Sequence, residues 1–259
     1  MILQGKTIVV MGVGDGLGRE VAEKAARDGA NVVLAARTEA QLEAVGKAID
    51  PSGDRVAWLP TDLADDNQVQ ALVELAVSRF GRLDGLAQVA ALASLHGSFE
   101  ESDLGDWERA YQVNVAGTVR TSRAALPHMR KAGGGSIVLV GSQAASLPTT
   151  AQIAYAASKG ALRSAMYYMA KELGPDKIRV NTVVPTWMWG PPVQKFVAIQ
   201  AEARGVDESV VVAEIASQMP LGEIPEDGDV AEAIVFLCSD RARMITGQWL
   251  QVNAGQSMV

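Results

Sequence analysis

One cysteine, two histidines and an aromatic content of 5% are all that these 259 residues hold of the types that build disulfide frameworks, metal centres and stacking platforms. A lone Cys238 excludes a disulfide within the chain, and beside the separated His96 and His128 it makes a poor metal inventory, so no metal site is expected. A reducing, cytoplasmic compartment fits that usage. Positive charge is also short: 23 Lys and Arg face 30 Asp and Glu, for a net charge of −7 and a pI near 5.0. The cations are scattered rather than clustered, so nucleic acid is not an expected partner. No window reaches the roughly 18 consecutive apolar residues that a membrane span needs. The opening MILQGKTIVVMGVGDG lacks a charged segment followed by an apolar stretch and cleavage site, so neither signal peptide nor membrane contact is expected. Low-complexity linkers, short-period repeats and charge blocks are missing too, which predicts one domain over residues 1–259.

What the chain does have is an ordinary globular composition, 48% hydrophobic and 20% charged. Short β-branched runs alternate with longer stretches of helical period. TIVVM (7–11), NVVLAA (31–36), RVAWLP (55–60), LDGLAQVA (83–90), SIVLVG (136–141), IRVNTVV (178–184) and QWLQV (248–252) read as seven strands. GLGREVAEKAARDGA, EAQLEAVGKAI and DNQVQALVELAVSRF read as crossover helices. Such alternation predicts a Rossmann-type, doubly wound α/β domain: seven mainly parallel strands, buried on both faces by helices. The regularity breaks after Pro185, and residues 186–219 are expected to form a lid over a substrate.

The first strand runs straight into MGVGDGLGRE. Gly12, Gly14, Gly16 and Gly18, with Leu17 among them, let the backbone turn tightly and approach a pyrophosphate, while the helix that begins there offers free N–H groups and a positive dipole end. Asp15 sits in the same turn. After the second strand an acidic residue would bind the ribose of NAD and a basic one the 2′-phosphate of NADP; here Ala36 is followed by Arg37, which favours NADP(H) over NAD(H). Asp15 argues mildly the other way, because a carboxylate near that phosphate repels it. Asp62, after the third strand, reads either as an adenine contact or as a helix N-cap.

Residues 155–159, YAASK, place Tyr155 and Lys159 four apart, on one face of a helix with Cβ atoms roughly 5–6 Å from each other. A free phenol, with a pKa of about 10, exchanges protons reluctantly near neutral pH. A nearby ammonium is expected to favour the phenolate, and lowering the pKa by about two to three pH units corresponds to roughly 3–4 kcal/mol.

Together the Gly12–Gly16–Gly18 turn, Asn114 in VNVAGT, Ser142 thirteen positions before Tyr155, and Lys159 closely resemble the classical short-chain dehydrogenase/reductase family, over essentially the whole chain. The resemblance implies a dinucleotide-dependent enzyme interconverting a ketone and a secondary alcohol. Tyr155 would be its acid/base, Lys159 would also hold the nicotinamide ribose, Ser142 would orient the substrate oxygen, and Asn114 would position a water in a proton relay. It further implies cofactor contacts from Leu63, Ala90, Pro185 and Met188, substrate contacts from Trp187 and Trp189 beside Ser142 and Tyr155, and a homotetramer or, less often, a dimer, built on the helices carrying Asn114 and Tyr155. The chain departs from the family pattern with Met11 for Thr, Gln88-Val89-Ala90-Ala91 for Asn-Asn-Ala-Gly, Pro185-Thr186 for Pro-Gly, and Asn253 for Asp. The Gln88 amide is expected to stand in partly for the missing asparagine.

Trp187, Met188, Trp189, Phe196 and Ile199 would line an apolar site for a hydrophobic, alicyclic or steroid-like small molecule, or pack as a core of the lid's own or against a neighbouring subunit. His96 reads as a solvated loop residue rather than a substrate contact, and His128 as structural. Two other functions remain open: a 3-oxoacyl thioester reductase, whose basic docking surface for an acidic carrier is not evident in this acidic chain, and a nonenzymatic nucleotide sensor.

Overall fold

The computed structural model describes residues 1–93, 95, 97–148 and 151–258. All seven expected strands are present: β1 (Thr7–Met11), β2 (Asn31–Ala36), β3 (Val56–Pro60), β4 (Gly85–Gln88), β5 (Gly135–Val140), β6 (Ile178–Pro185) and β7 (Trp249–Val252). They form one parallel sheet in the order β3-β2-β1-β4-β5-β6-β7. The chain builds outward from β1 to β3, then crosses back to place β4 on the other side of β1. That reversal opens a crevice at the carboxyl ends of β1 and β4, where open α/β sheets collect ligands.

Helices α1 (Leu17–Arg27), α2 (Glu39–Ile49), α3 (Asp66–Phe80), α4 (Leu104–Ala110), α5 (Gly117–Ala132), α6 (Ile153–Leu173), α7 (Pro191–Arg204), α8 (Glu208–Ala216) and α9 (Asp227–Cys238) complete the chain. One face of the sheet is closed by α1, α2 and α9, whose Val21, Ala22, Leu42, Val230, Ile234 and Val235 meet Ile8, Val10, Val32 and Leu34. The other is closed by α3, α5 and α6 through Leu72, Val73, Met129, Leu162 and Met166. Residues alternate between these two cores along each strand, and so the strands read as unbroken apolar runs. Each buried Leu, Ile or Val contributes about 1.5–3 kcal/mol. Local chemistry sets the helix ends: Asp65 caps α3 by accepting from the Asn67 and Gln68 backbone N–H groups, and Gly81, at φ 78°, ends it in the left-handed region.

Strand β4 is shorter than the apolar run 83–90 suggests. Beyond Gln88 the amides of both Val89 and Ala90 turn to the carbonyl of Met11, at 2.9 and 2.8 Å, which folds the chain over the end of β1. Residues 186–219 supply α7 and α8, and Val197, Ala201, Val211, Ile215 and Met219 bury one another in a small separate core, against which Trp187 and Trp189 pack. The Trp187 and Phe196 rings lie 5.2 Å apart. Of the two readings of this aromatic segment, its packing on a core of its own is the one these contacts describe, while Phe196 and Ile199 keep exposed surface.

Candidate active site

The turn after β1 requires its glycines. Gly12 has a φ of 92°, and a Cβ there would lie 2.4 Å from the Ala90 nitrogen; a Cβ on Gly18 would lie 2.1 Å from the Gly12 carbonyl oxygen. Gly16 caps α1 and has no side chain to bond the helix end, and among the described residues no side chain accepts from the first N–H groups of α1. Three features therefore converge at the crevice: a close-approaching backbone, the positive end of a helix and a floor of small residues. They suit a pyrophosphate group. Gly14, Asp15 and Leu17 belong to the same turn, and exposed Arg37 lies just beyond β2 with no carboxylate partner among the described residues.

Asp62 does not cap α3, because Asp65 does; instead the Asp62 carboxylate accepts from the Ala64 backbone, at 2.9 Å, and its side chain stays exposed. Leu63 is buried against Gly117, where a Cβ would come within 2.8 Å of it. Pro185 ends β6 at the same edge of the sheet, and Met188 packs on the α1–α9 core. Gln88 is 3% exposed, and neither amide atom has a hydrogen-bond partner among the described residues.

On the other side of the crevice, β5 ends beside α6. Ser142 opens a short 3-10 turn, its hydroxyl accepting from the Ala144 N–H at 3.2 Å. It is also the hydrogen-bond partner of the half-buried Tyr155 phenol. Lys159, one turn further along α6, is 2% exposed; its ammonium lies 5.7 Å from the Tyr155 ring centre and donates to the Val140 carbonyl at 2.7 Å. Asn114 sits in a π-helical turn, Tyr111–Ala116, between α4 and α5. It is fully buried, accepts from the Leu92 N–H at 2.7 Å, and donates to the Leu92 carbonyl at 3.2 Å and the Ser158 hydroxyl at 2.9 Å. Ser158 in turn donates to the Tyr155 carbonyl at 2.7 Å, so one polar chain joins the π turn to the residue carrying the phenol.

The electrostatics correct one expectation. Burial pushes the Tyr155 phenol above its ordinary pKa, opposed only by the Ser142 hydrogen bond, and burial lowers Lys159 to about 8. The ammonium is itself desolvated and directed at a carbonyl, so it does not produce the lowered phenol that helical spacing alone suggests.

His128 lies in the last turns of α5, away from these groups, and His96 falls outside the described residues. Two contributors carry no motif of their own. Ser158, between Tyr155 and Lys159, accepts from the Asn114 amide at 2.9 Å. Gln143, adjacent to Ser142, accepts from Asn253 at 3.2 Å, which ties the segment after β7 to the site.

The comparisons agree with this architecture. The family described as enoyl-(acyl carrier protein) reductase matches residues 12–257. The cis-4-hydroxycyclohexanecarboxylate dehydrogenase of Sinomonas cyclohexanicum is 32% identical over 98% of this chain and 97% of its own length. The 7alpha-hydroxysteroid dehydrogenase of Escherichia coli K12 is 31% identical over 98% and 94%. Among solved structures, a short-chain dehydrogenase/reductase described as glucose/ribitol dehydrogenase, from Brucella melitensis, superposes with a TM-score of 0.87 at 30% identity, over 100% of this chain and 99% of that one. Sequence, sheet order and glycine turn agree: the chain belongs to the classical short-chain dehydrogenase/reductase family, and it is an enzyme acting on CH–OH groups.

Proposed function

We propose that the protein interconverts a hydrophobic, alicyclic ketone and its secondary alcohol, with NADP(H) preferred over NAD(H). The observation that carries this reading is the grouping of Tyr155, Ser142 and Lys159 at the end of β5, across the crevice from a glycine turn built for close approach. A bound dinucleotide supplies or accepts the hydride. Gly12, Gly16 and the α1 N-terminus would hold its pyrophosphate and Arg37 its 2′-phosphate; Lys159 would hold its nicotinamide ribose, with Asp62, Leu63, Ala90, Pro185 and Met188 along its length.

Within that arrangement the Ser142 hydroxyl orients the substrate oxygen beside Tyr155, and the phenol gives that oxygen its proton during reduction or takes it during oxidation. The phenol holds its proton through the neutral range, so reduction starts from the protonated tyrosine; burial makes that proton harder to release, and the Ser142 hydrogen bond works in the opposite sense. Asn114 keeps Tyr155 in place through Ser158 and fixes the loop at Leu92. Residues 186–219 close over the substrate, with Trp187 and Trp189 at the base of the lid. An alicyclic substrate accords with relatives named for a cyclohexanecarboxylate, a steroid and a chlorinated cyclohexadiene diol. A cytoplasmic homotetramer is the proposed assembly, with a dimer as the alternative, because Tyr111, Tyr167 and Tyr168 expose aromatic surface on the helices that flank Asn114 and Tyr155.

The test is dinucleotide oxidation, with NADPH and NADH, over ketones graded from small and polar to bicyclic, with a carrier-bound 3-oxoacyl thioester in the same panel. Preference for alicyclic ketones supports the reading; preference for small polar ketones or for the thioester refutes it.

A further inference from the structure

The end of the sheet opposite the crevice holds a second concavity, of about 600 Å³. Its wall comes from the amino ends of the four central strands. Lys6 precedes β1, Arg82 and Asp84 precede β4, the Gly133–Gly135 turn leads into β5, and Lys177 and Arg179 flank the start of β6; Asp240 and Arg243, just after α9, close the rim. In a parallel sheet the amino and carboxyl edges are a strand length apart, roughly 17 Å for five residues, so this concavity is separate from the glycine turn and Tyr155.

Five cationic side chains against two carboxylates leave three positive charges in excess, in a chain whose net charge is −7. The carboxylates already have partners. Asp84 takes the Arg82 guanidinium in two bonds, at 2.7 and 2.6 Å, and also accepts from the Thr7 N–H; Asp240 takes Lys6 at 2.9 Å. Lys177, Arg179 and Arg243 have no hydrogen-bonded carboxylate partner among the described residues. Arg179 is partly buried and aimed into place by carbonyls, donating to Ser239 at 3.0 Å and Ile245 at 3.4 Å, and that burial holds its pKa below the ordinary arginine range.

Part of the neighbouring helix ends is taken up elsewhere: in the last turn of α5 the Met129 and Arg130 carbonyls accept from the Gly134 and Gly133 amides, and in that of α9 the Phe236 and Leu237 carbonyls accept from the Ser239 amide and the Ser136 hydroxyl, so these four carbonyls do not offset the surplus. The rim bends through unusual backbone. Gly133 and Gly134 have positive φ, as does Lys177 at 58°, an uncommon conformation for a residue with a side chain.

We propose that this basic concavity is a second ligand site, which takes a small multivalent anion, no larger than a nucleotide, bearing adjacent phosphate or carboxylate groups. Guanidinium and ammonium groups converging from separate strands match such an anion, and the volume lies within the range of small-molecule sites.

The experiment is calorimetric titration of the whole protein with tripolyphosphate and, in a second arm, with citrate, at matched ionic strength and with and without NADPH. Saturable 1:1 binding is expected in at least one arm, unaffected by NADPH; the stronger arm identifies the anion as phosphate or carboxylate. The Lys177→Gln, Arg243→Gln double variant alters two exposed side chains and should weaken binding by roughly tenfold or more. Lys47→Gln with Lys195→Gln removes the same charge from α2 and α7, and should leave affinity within about twofold. No saturable binding in either arm, equal losses in both double variants, or displacement by NADPH would overturn the proposal.

Discussion

Replacing Asn114 with alanine should cost stability and catalysis together. The side chain makes three hydrogen bonds, two to the backbone of Leu92 and one to Ser158, and it is fully buried. At a net contribution of about 1 kcal/mol each, their loss amounts to about 3 kcal/mol, and more if the Leu92 groups stay buried without water. For a domain of this size each kcal/mol moves the midpoint by about 2–4 °C, so thermal unfolding should fall by roughly 6–12 °C. Because Ser158 carries the connection on to the Tyr155 carbonyl, kcat should drop further than the affinity for dinucleotide does. Ser158→Ala breaks the same chain from the other end, and a double-mutant cycle between the two sites should show coupling of about 1 kcal/mol. A midpoint within about 2 °C of wild type, or purely additive effects, would refute the claim that this polar chain positions the tyrosine.

The unfolded chain keeps the Lys159 proton to a pKa of about 10.4, whereas the folded one releases it near 8; the unfolded state therefore binds more protons between these values, and the burden of burying the ammonium shrinks as pH rises across that window. Lys159→Met should accordingly stabilise the protein by about 1–3 kcal/mol in urea unfolding at pH 7 and by much less at pH 10, and a gain independent of pH would contradict this. Arg37→Ala should lower the preference for NADPH over NADH by about 10- to 100-fold in fluorescence titrations, since it removes a charge-assisted contact of about 1.5–3 kcal/mol; an unchanged ratio would assign the 2′-phosphate to another group. Gln88→Leu should raise stability by about 1–2 kcal/mol by replacing an unpartnered buried amide, and a loss instead would mean that the amide is satisfied in solution.

Much of the fold was legible because its signals are local. A strand buried on both faces must be apolar throughout, and the three crossover helices read from the sequence each carry their own period and end near a Gly or Pro, as α3 does with Gly81. The end of β4 was not, because it depends on Met11 accepting from two amides 78 and 79 residues away. The glycine turn and the Tyr155–Lys159 pair were legible for the same local reason, as spacings along one element. What spacing lacks is the dielectric. It brings an ammonium near a phenol but does not register that both are desolvated, which reverses the direction of the phenol pKa. Ser158 and Gln143 escaped notice because their partners, Asn114 and Asn253, come from distant segments. Trp187 and Trp189 suggested a substrate lining by their composition, and the contacts they make are with the small core of their own segment.

The central claim, that the Tyr155 hydroxyl carries the substrate proton, is tested most directly by Tyr155→Phe, which removes one oxygen and leaves the ring. The expected result is a fall in carbonyl reduction of about 10²- to 10⁴-fold, with dinucleotide affinity within about threefold of wild type by fluorescence titration. Activity that survives the substitution, in a protein that still binds dinucleotide, would contradict the claim.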